Sequence, residues 1–396
     1  MKGLSVGGDR KFPDRAFLDR LPHAWPTMAT WEQPRENSIA ALRHGMEFSD
    51  GVEFDLKLSN DGEFVIYHDE LFPGTAPKTE RCIEMLGTDE VRSRGVATFD
   101  ELLSDRRYTE AWQASGKTAN IEFKMPHPIA GIEADEQLRS MMGLLEHKLE
   151  PFDLPDRSAL VYSFSPRIGP VAKSSGFGMP ITRLMPHLRP WGDWNVKRAV
   201  GAPHFARISV PGLVRYLRRN GMPVMGLALE FLNGWTRWVN PGFPVGLRGR
   251  GLVRLNKARA GMGAFVWPAP LELESVLIEA GCSLVSDHMN PDIVSLPDGS
   301  ARWPRPASQP LDKEWRTRLD SAADDELTDL IGEASSSLPT WPEIGQKRRK
   351  ELVTEQGRRM FWSGSEDKWA AEAEEGLLWG SPRIVGHRGA GKTHSE

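Results

Sequence analysis

The chain has 396 residues, 39% of them hydrophobic and 26% charged, with 50 basic against 54 acidic side chains and a formal net charge of −4. That is the make-up of an ordinary globular protein, and so even a balance gives no electrostatic reason to expect nucleic acid as a partner. Two cysteines, Cys82 and Cys282, are too few for a disulfide framework or a zinc site; the start MKGLSVGGDRKFPDR lacks a signal peptide's apolar core, no run of ~18 apolar residues offers a membrane span, and a cytoplasmic protein is expected.

Residues 1–20 read as a polar N-terminal extension, and a globular unit is expected over 21–308. Asn37 and Ser38 can cap a helix whose inner face is Ile39, Leu42 and Met46. The stretch 51–69, GVEFDLKLSNDGEFVIYHD, predicts a β-hairpin turning at Asn60-Asp61-Gly62. Glu53 and Asp55 are two apart, so on a strand both point to one face. Adjacent carboxylates repel and are tolerated best around a cation. The apolar return strand, residues 63–67, delivers His68 and Asp69 to the same end of the sheet. A hard-metal site beside a histidine points to metal-assisted acid–base chemistry on an oxygen-rich substrate. Alone, Glu53 and Asp55 would read as the solvent face of an edge hairpin.

Residues 99–103 start a further helix, and residues 120–124 form the next strand, with Glu122 and Lys124 on one face. A third carboxylate completes a calcium or magnesium site, and a lysine beside it suits a phosphate. Residues 133–149 have helical periodicity, and 159–164 form a short buried strand. Strands are expected at 206–210, 223–229, 263–267 and 283–286, a helix at 271–279, and a loop insertion at 231–262. The alternation of strands and helices predicts a parallel sheet. Residues 309–380 form a charged helical linker, and 381–396 form a strand carrying His387-Arg388-Gly389-Ala390.

In this order, Glu36-Asn37-Ser38, Glu53-x-Asp55, Asp61-Gly62 with His68-Asp69, the run 97–103, Ile121-Glu122-x-Lys124, Tyr162-Ser163-Phe164, Val266-Trp267 and Ser286-Asp287 resemble the glycerophosphodiester phosphodiesterase family. The resemblance runs from about Glu36 to Pro291. It implies an α/β fold, a TIM (β/α)8 barrel of the phosphatidylinositol-phosphodiesterase-like kind; the helical C-terminal extension over 309–380 is read from its own composition and matches nothing in the family. It implies hydrolysis of a small-molecule glycerophosphodiester or lysophospholipid-like substrate to an alcohol and glycerol 3-phosphate. The cofactor implied is a divalent metal, Ca2+ or Mg2+, on Glu53, Asp55 and Glu122. Two histidines are implied as general base and general acid, the first from His-Arg-Gly and the second from His-Asp, which is His68 here. Glu36, Lys124, Arg388 and Trp267 are the implied substrate-binding residues.

The first histidine is out of place. Aligning on Glu36-Asn37 puts Thr30 or a neighbour where it belongs, and His23 lacks the following Arg-Gly. The motif stands instead at His387. One account is a tandem protein, with a degenerate first copy and the start of a second. The other is a permuted barrel in which the terminal strand inserts as the first strand and sets His387 opposite His68. Two functional alternatives accompany the hydrolase: an impaired barrel that binds a phosphodiester or glycerol phosphate as a sensor or partner domain, and a lipid phosphodiesterase of the sphingomyelinase D kind. Residues 286–288, Ser-Asp-His, are consecutive and lack a Gly-x-Ser-x-Gly elbow, so they form no triad. Residues 389–393 lack the first glycine of a P-loop.

Overall fold

The computed structural model describes residues 32–115, 117–185, 209–233, 245–290, 379–380 and 382–393, with scattered positions between 314 and 348. The extension 1–20, Thr30, His23 and most of the linker 309–380 lie outside the described residues.

Helix α1 (Ile39–Phe48) opens at Ser38, whose hydroxyl accepts the amide of Ala41 at 3.2 Å. Strands β1 (Gly51–Leu58) and β2 (Phe64–Ile66) form the expected antiparallel hairpin. Short helices α2 (Thr88–Ser93), α3 (Phe99–Leu103) and α4 (Arg106–Ser115) follow. Thr98 and Glu101 make a reciprocal capping box at the start of α3. Then come β3 (Thr118–Phe123), α5 (Ala134–Leu149), β4 (Ala159–Ser163), α6 (Ile168–Ser175), β5 (Ile181–Met185) and α7 (Val210–Arg219). The chain continues through β6 (Val224–Ala228), α8 (Glu230–Asn233), α9 (Gly249–Arg259), β7 (Gly263–Ala269), α10 (Leu271–Glu279), β8 (Ser283–Ser286) and β9 (Ile384–Gly386).

The strands pair in the order β1-β3-β4-β5-β6-β7-β8-β9, every step parallel, and β9 pairs again with β1. The result is a closed eight-stranded parallel barrel, with β2 as a hairpin partner outside the ring. Residues 36–291 supply seven of the eight strands, and the closing strand comes from Ile384–Gly386.

Alternation along each strand separates two cores. Val52, Phe54 and Leu56 of β1 face the helices and join the larger apolar cluster. Leu160, Tyr162, Leu184, Val224, Phe265, Val285 and Val385 form a second cluster with Trp379 and plug the barrel interior. Each such side chain contributes ~1.5–3 kcal/mol on burial. Polar side chains of β1 alternate with the helix-facing ones, so Glu53, Asp55 and Lys57 turn inward, and all three are buried.

Two local expectations are corrected. Val210, expected to end a strand, opens α7: Ser209 accepts the amide of Gly212 and Pro211 occupies the first turn, where its missing N–H costs nothing. Residues 206–208 lie outside the described residues. The Gly- and Arg-rich stretch 231–262 is not simply a loop, because it contains α9. That helix is anchored by the buried Arg259, whose Nη1 donates to the carbonyl of Gly281 at 2.5 Å. Tertiary contact there overrides a loop-like composition.

Candidate active site

The parallel register of β1 and β3 sets Asp55 beside Glu122, and Glu53 stands two residues before Asp55 on the same face. The ligand oxygens of Glu53, Asp55 and Glu122 lie within 4.8 Å of one another, and all three residues are buried. Lys124, one step past β3, places Nζ 3.0 Å from Asp55 Oδ1 and 2.7 Å from Glu122 Oε1. Asn37 Nδ2 donates to Asp55 Oδ2 at 2.8 Å, and the amide of Arg388 donates to Glu53 Oε2 at 2.9 Å. Among the described residues Asp55 Oδ1 is buried and accepts no hydrogen bond, with the Lys124 ammonium 3.0 Å away. An all-oxygen, buried, electron-rich set with an orphaned carboxylate oxygen fits a hard divalent cation.

The electrostatics follow from crowding three carboxyls in a dry pocket. Burial, with Asp55 and Glu122 beside it, pushes Glu53 well above the ordinary range. Burial raises Glu122 to about 7 against the pull of Lys124. Burial also opposes ionisation of Asp55, but Lys124, His68, Arg388 and the Asn37 hydrogen bond outweigh it and hold Asp55 well below its usual value. Burial tends to strip the proton from Lys124, yet Asp55 and Glu122 raise its pKa. Asp55 and Lys124 are therefore the fixed charges, while burial and crowding favour the protonated forms of Glu53 and Glu122.

Two histidines border this cluster. His68 follows β2 and bonds Asp69 Oδ1 through Nδ1 at 2.8 Å. Burial and Lys124 lower its pKa to about 4. His387 follows β9 and bonds Asp287 Oδ1 through Nδ1 at 2.7 Å, while its Nε2 lies 3.8 Å from Glu53 Oε2. In both, an aspartate on Nδ1 fixes the tautomer and leaves Nε2 as the proton-accepting nitrogen of the neutral ring. Burial works against ionisation of Asp287, but the His387 hydrogen bond and charge overcome it and keep Asp287 ionised far into acid.

The remaining expected residues are placed as follows. Glu36 Oε1 pairs with Arg388 Nη1 at 2.6 Å, and both side chains are buried. Trp267 ends the inner face of β7, half-buried, edge-on to Phe164 with ring centroids 6.0 Å apart. A partly open cleft runs past Glu36, Asn37, Tyr67, His68 and Asp69. In the sequence Asp287 and Tyr162 carry no assigned site role, and Asn37 reads as a helix cap. Asp287 holds His387, Asn37 holds Asp55, and Tyr162 has its phenol pKa driven up by burial and by Glu53. The signals were present as the Ser286-Asp287, Glu36-Asn37 and Tyr162-Ser163 motifs, but each partner is remote in the chain.

Residues 15–173 match the model of the Glycerophosphoryl diester phosphodiesterase family. The matched segment contains Glu36, Glu53, Asp55, His68, Glu122 and Lys124 and stops before His387. No curated protein matches the chain. Among solved structures, a glycerophosphodiester phosphodiesterase from Thermotoga maritima is 16% identical, with 63% of this chain and 87% of that chain covered and a TM-score of 0.40. An Oleispira antarctica phosphodiesterase in complex with the product sn-glycerol-3-phosphate is 16% identical over 64% of this chain and 88% of that chain, with a TM-score of 0.41. A glycerophosphodiester phosphodiesterase from Parabacteroides distasonis is 18% identical over 65% and 87%, with a TM-score of 0.42.

Proposed function

We propose that this chain, whose residues 15–173 match the glycerophosphoryl diester phosphodiesterase family model, is a member of that family and hydrolyses glycerophosphodiesters to an alcohol and glycerol 3-phosphate. The phosphoric diester hydrolase class comes with the family; the substrate, the residue roles and the cation dependence are our reading. One observation carries it: His68 and His387, each held by an aspartate on Nδ1, border the same three buried carboxylates.

Glu53, Asp55 and Glu122 would hold Ca2+ or Mg2+, which supplies Lewis-acid stabilisation of charge on a phosphoryl oxygen. Lys124 bridges Asp55 and Glu122, and its charge beside the cluster would offset negative charge growing on the phosphoryl oxygens. His387 Nε2 accepts a proton from the attacking hydroxyl, and Asp287 stabilises the imidazolium that forms. His68 is neutral in the free site, so it must gain a proton before it can donate one to the leaving alcohol. An anionic phosphodiester beside it raises its pKa toward that role. Glu36 borders the cleft beside His68, and Trp267, packed edge-on to Phe164 on β7, is our further candidate for substrate contact.

No observation among the described residues favours a non-hydrolysing binder, because His387 stands at the carboxylate cluster. We read the barrel as permuted, with β9 as its first strand in space. No described helix is long and apolar enough to cross a membrane. Free buried thiols at Cys82 and Cys282 suit a reducing, cytoplasmic setting.

The test is release of glycerol 3-phosphate from glycerophosphocholine by the full chain. Activity should vanish on chelation and return with Mg2+ or Ca2+. A folded chain that stays inert with both cations would sink the proposal.

A further inference from the structure

The turn after β9 meets the loop before α1 through a dense set of polar contacts. Arg388 gives its amide to Glu53 Oε2 at 2.9 Å, and its Nε lies 3.7 Å from Asp55 Oδ2. Glu36 takes Arg388 Nη1 at 2.6 Å and the amide of Thr393 at 2.7 Å. The amide of Asn37 donates to the carbonyl of Arg388 at 2.9 Å, and its side chain donates to Asp55. Both Asn37 and Arg388 hold left-handed backbone, at φ 54 and φ 49, a conformation non-glycine residues keep only where their surroundings enforce it. Gly389, at φ 95, lies so close to the backbone of Ala41 and Leu42 that a Cβ would collide with it.

The sheet ladder at this seam is thin by comparison. β9 meets β1 through one register pair, Val52 with Gly386, and through Asp50, whose amide donates to the Ile384 carbonyl at 2.9 Å and whose carboxylate accepts the Ile384 amide at 2.8 Å, against six register pairs between β1 and β3. β9 is laddered to β8 over three pairs, so the Glu36–Arg388–Asn37 contacts are what tie its turn to the β1 side of the cation site, beside Glu53 and Asp55. Glu36 also balances the Arg388 guanidinium, so the docked strand gives Glu53 a hydrogen-bond donor without setting an uncompensated positive charge beside an incoming cation.

We propose that Glu36 and Arg388 are positioning residues that couple docking of β9 to cation binding. The docked strand holds Glu53 and Asp55 in ligand geometry, and a bound cation in turn holds the strand docked. This rests on the cation reading given above and adds to it that the two equilibria share a coupling free energy. Such coupling is reciprocal, and typical values correspond to about 5–150-fold in affinity.

The experiment uses the full chain. Hydrogen exchange of the amides at residues 384–392 is followed with and without Mg2+ or Ca2+, and cation affinity is measured by calorimetry for the parent and for Glu36→Gln. In the parent, saturating cation should slow exchange of the Arg388 and Gly391 amides about tenfold or more. Glu36→Gln, which keeps all three carboxylate ligands, should weaken cation affinity by about tenfold and lose most of that protection, while Glu36→Asp recovers part of both. Protection of the β3–β6 amides reports that each variant is folded; if Glu36→Gln is not, the parent's cation-dependent exchange decides alone. A parent that binds cation while residues 384–392 exchange at an unchanged rate overturns the coupling and leaves the cation site standing, as does a folded Glu36→Gln that binds as tightly as the parent. A parent that binds no cation overturns both.

Discussion

Glu36 and Arg388 are 352 positions apart in the chain and 2.6 Å apart in the fold, both buried. One side of the barrel's rim thus joins the loop before α1 to the turn after β9. A buried ion pair contributes modest net stability, but removing one partner strands the other charge at a cost of ~3–5 kcal/mol. Arg388→Met should therefore lower unfolding free energy by about that amount, and Arg388→Met with Glu36→Leu should recover most of it. Denaturant unfolding with a double-mutant cycle reads the coupling; additive losses would mean the pair is not a unit.

The two histidines give a kinetic prediction. Each is held by an aspartate, His68 by Asp69 and His387 by Asp287. Loss of a general acid or base typically costs ~10²–10⁴ in rate. His68→Ala and His387→Ala should each reduce kcat for glycerophosphocholine by that order with the fold intact. Asp287→Asn should lower it less, because it disturbs the tautomer and orientation of His387 without deleting it. An unimpaired His387→Ala would place the chemistry without the terminal strand.

Much of this site was legible because strand geometry is local. An i, i+2 spacing puts Glu53 with Asp55 and Glu122 with Lys124 on one face each, and the hairpin sequence returns His68 to the same end. What was not legible is what distant segments decide. Asp287 and His387 are 100 positions apart, and no local pattern pairs them. Closure by Ile384–Gly386 was one of two arrangements the sequence allowed, since a three-residue strand carries no signal for which neighbours it takes. Likewise β5 is five residues with a threonine and an arginine inside it, too short and too mixed to stand out. Helix α9 was masked by its Gly and Arg content, although the buried Arg259 that anchors it reads in sequence as a surface residue.

The pH dependence of stability has a definite sign for each buried group. His68 has an ordinary pKa of 6.5 and a folded value of about 4. Between those values the unfolded chain binds a proton that the folded chain does not, so this contribution is complete above 6.5 and is lost as pH falls toward 4. The size is ~3 kcal/mol from the shift alone, at 1.36 kcal/mol per pKa unit. Glu122 runs the other way: its folded value of about 7 exceeds its ordinary 4.5, so its contribution is lost as pH rises from 4.5 through 7. His68→Asn should flatten the acid limb of the cation-free stability profile between pH 6.5 and 4, and Glu122→Gln should flatten the limb between 4.5 and 7. Identical profiles for parent and variants in thermal unfolding across that range would contradict both assignments.

Lys124 gives the sharpest separation of cation from scaffold. Its Nζ lies 3.0 Å from Asp55 and 2.7 Å from Glu122, so without a metal it is the positive charge that makes the paired carboxyls tolerable. Lys124→Gln removes that charge and leaves the carboxyls facing each other in a dry pocket. The cation-free variant should be less stable than the parent by ~3–5 kcal/mol, the cost of breaking a buried pair. A divalent cation replaces the lost charge at the same oxygens, so saturating Mg2+ or Ca2+ should raise Tm more in Lys124→Gln than in the parent, by mass action on the folded state. Catalysis should not return with stability, because the lysine's charge toward the phosphoryl oxygens is still gone. Asp55→Ala is the control, since it should show little cation-dependent shift. If cations stabilise Asp55→Ala as strongly as the parent, the ion binds elsewhere, and if Lys124→Gln gains no more than the parent, Lys124 does not share the cation's oxygens.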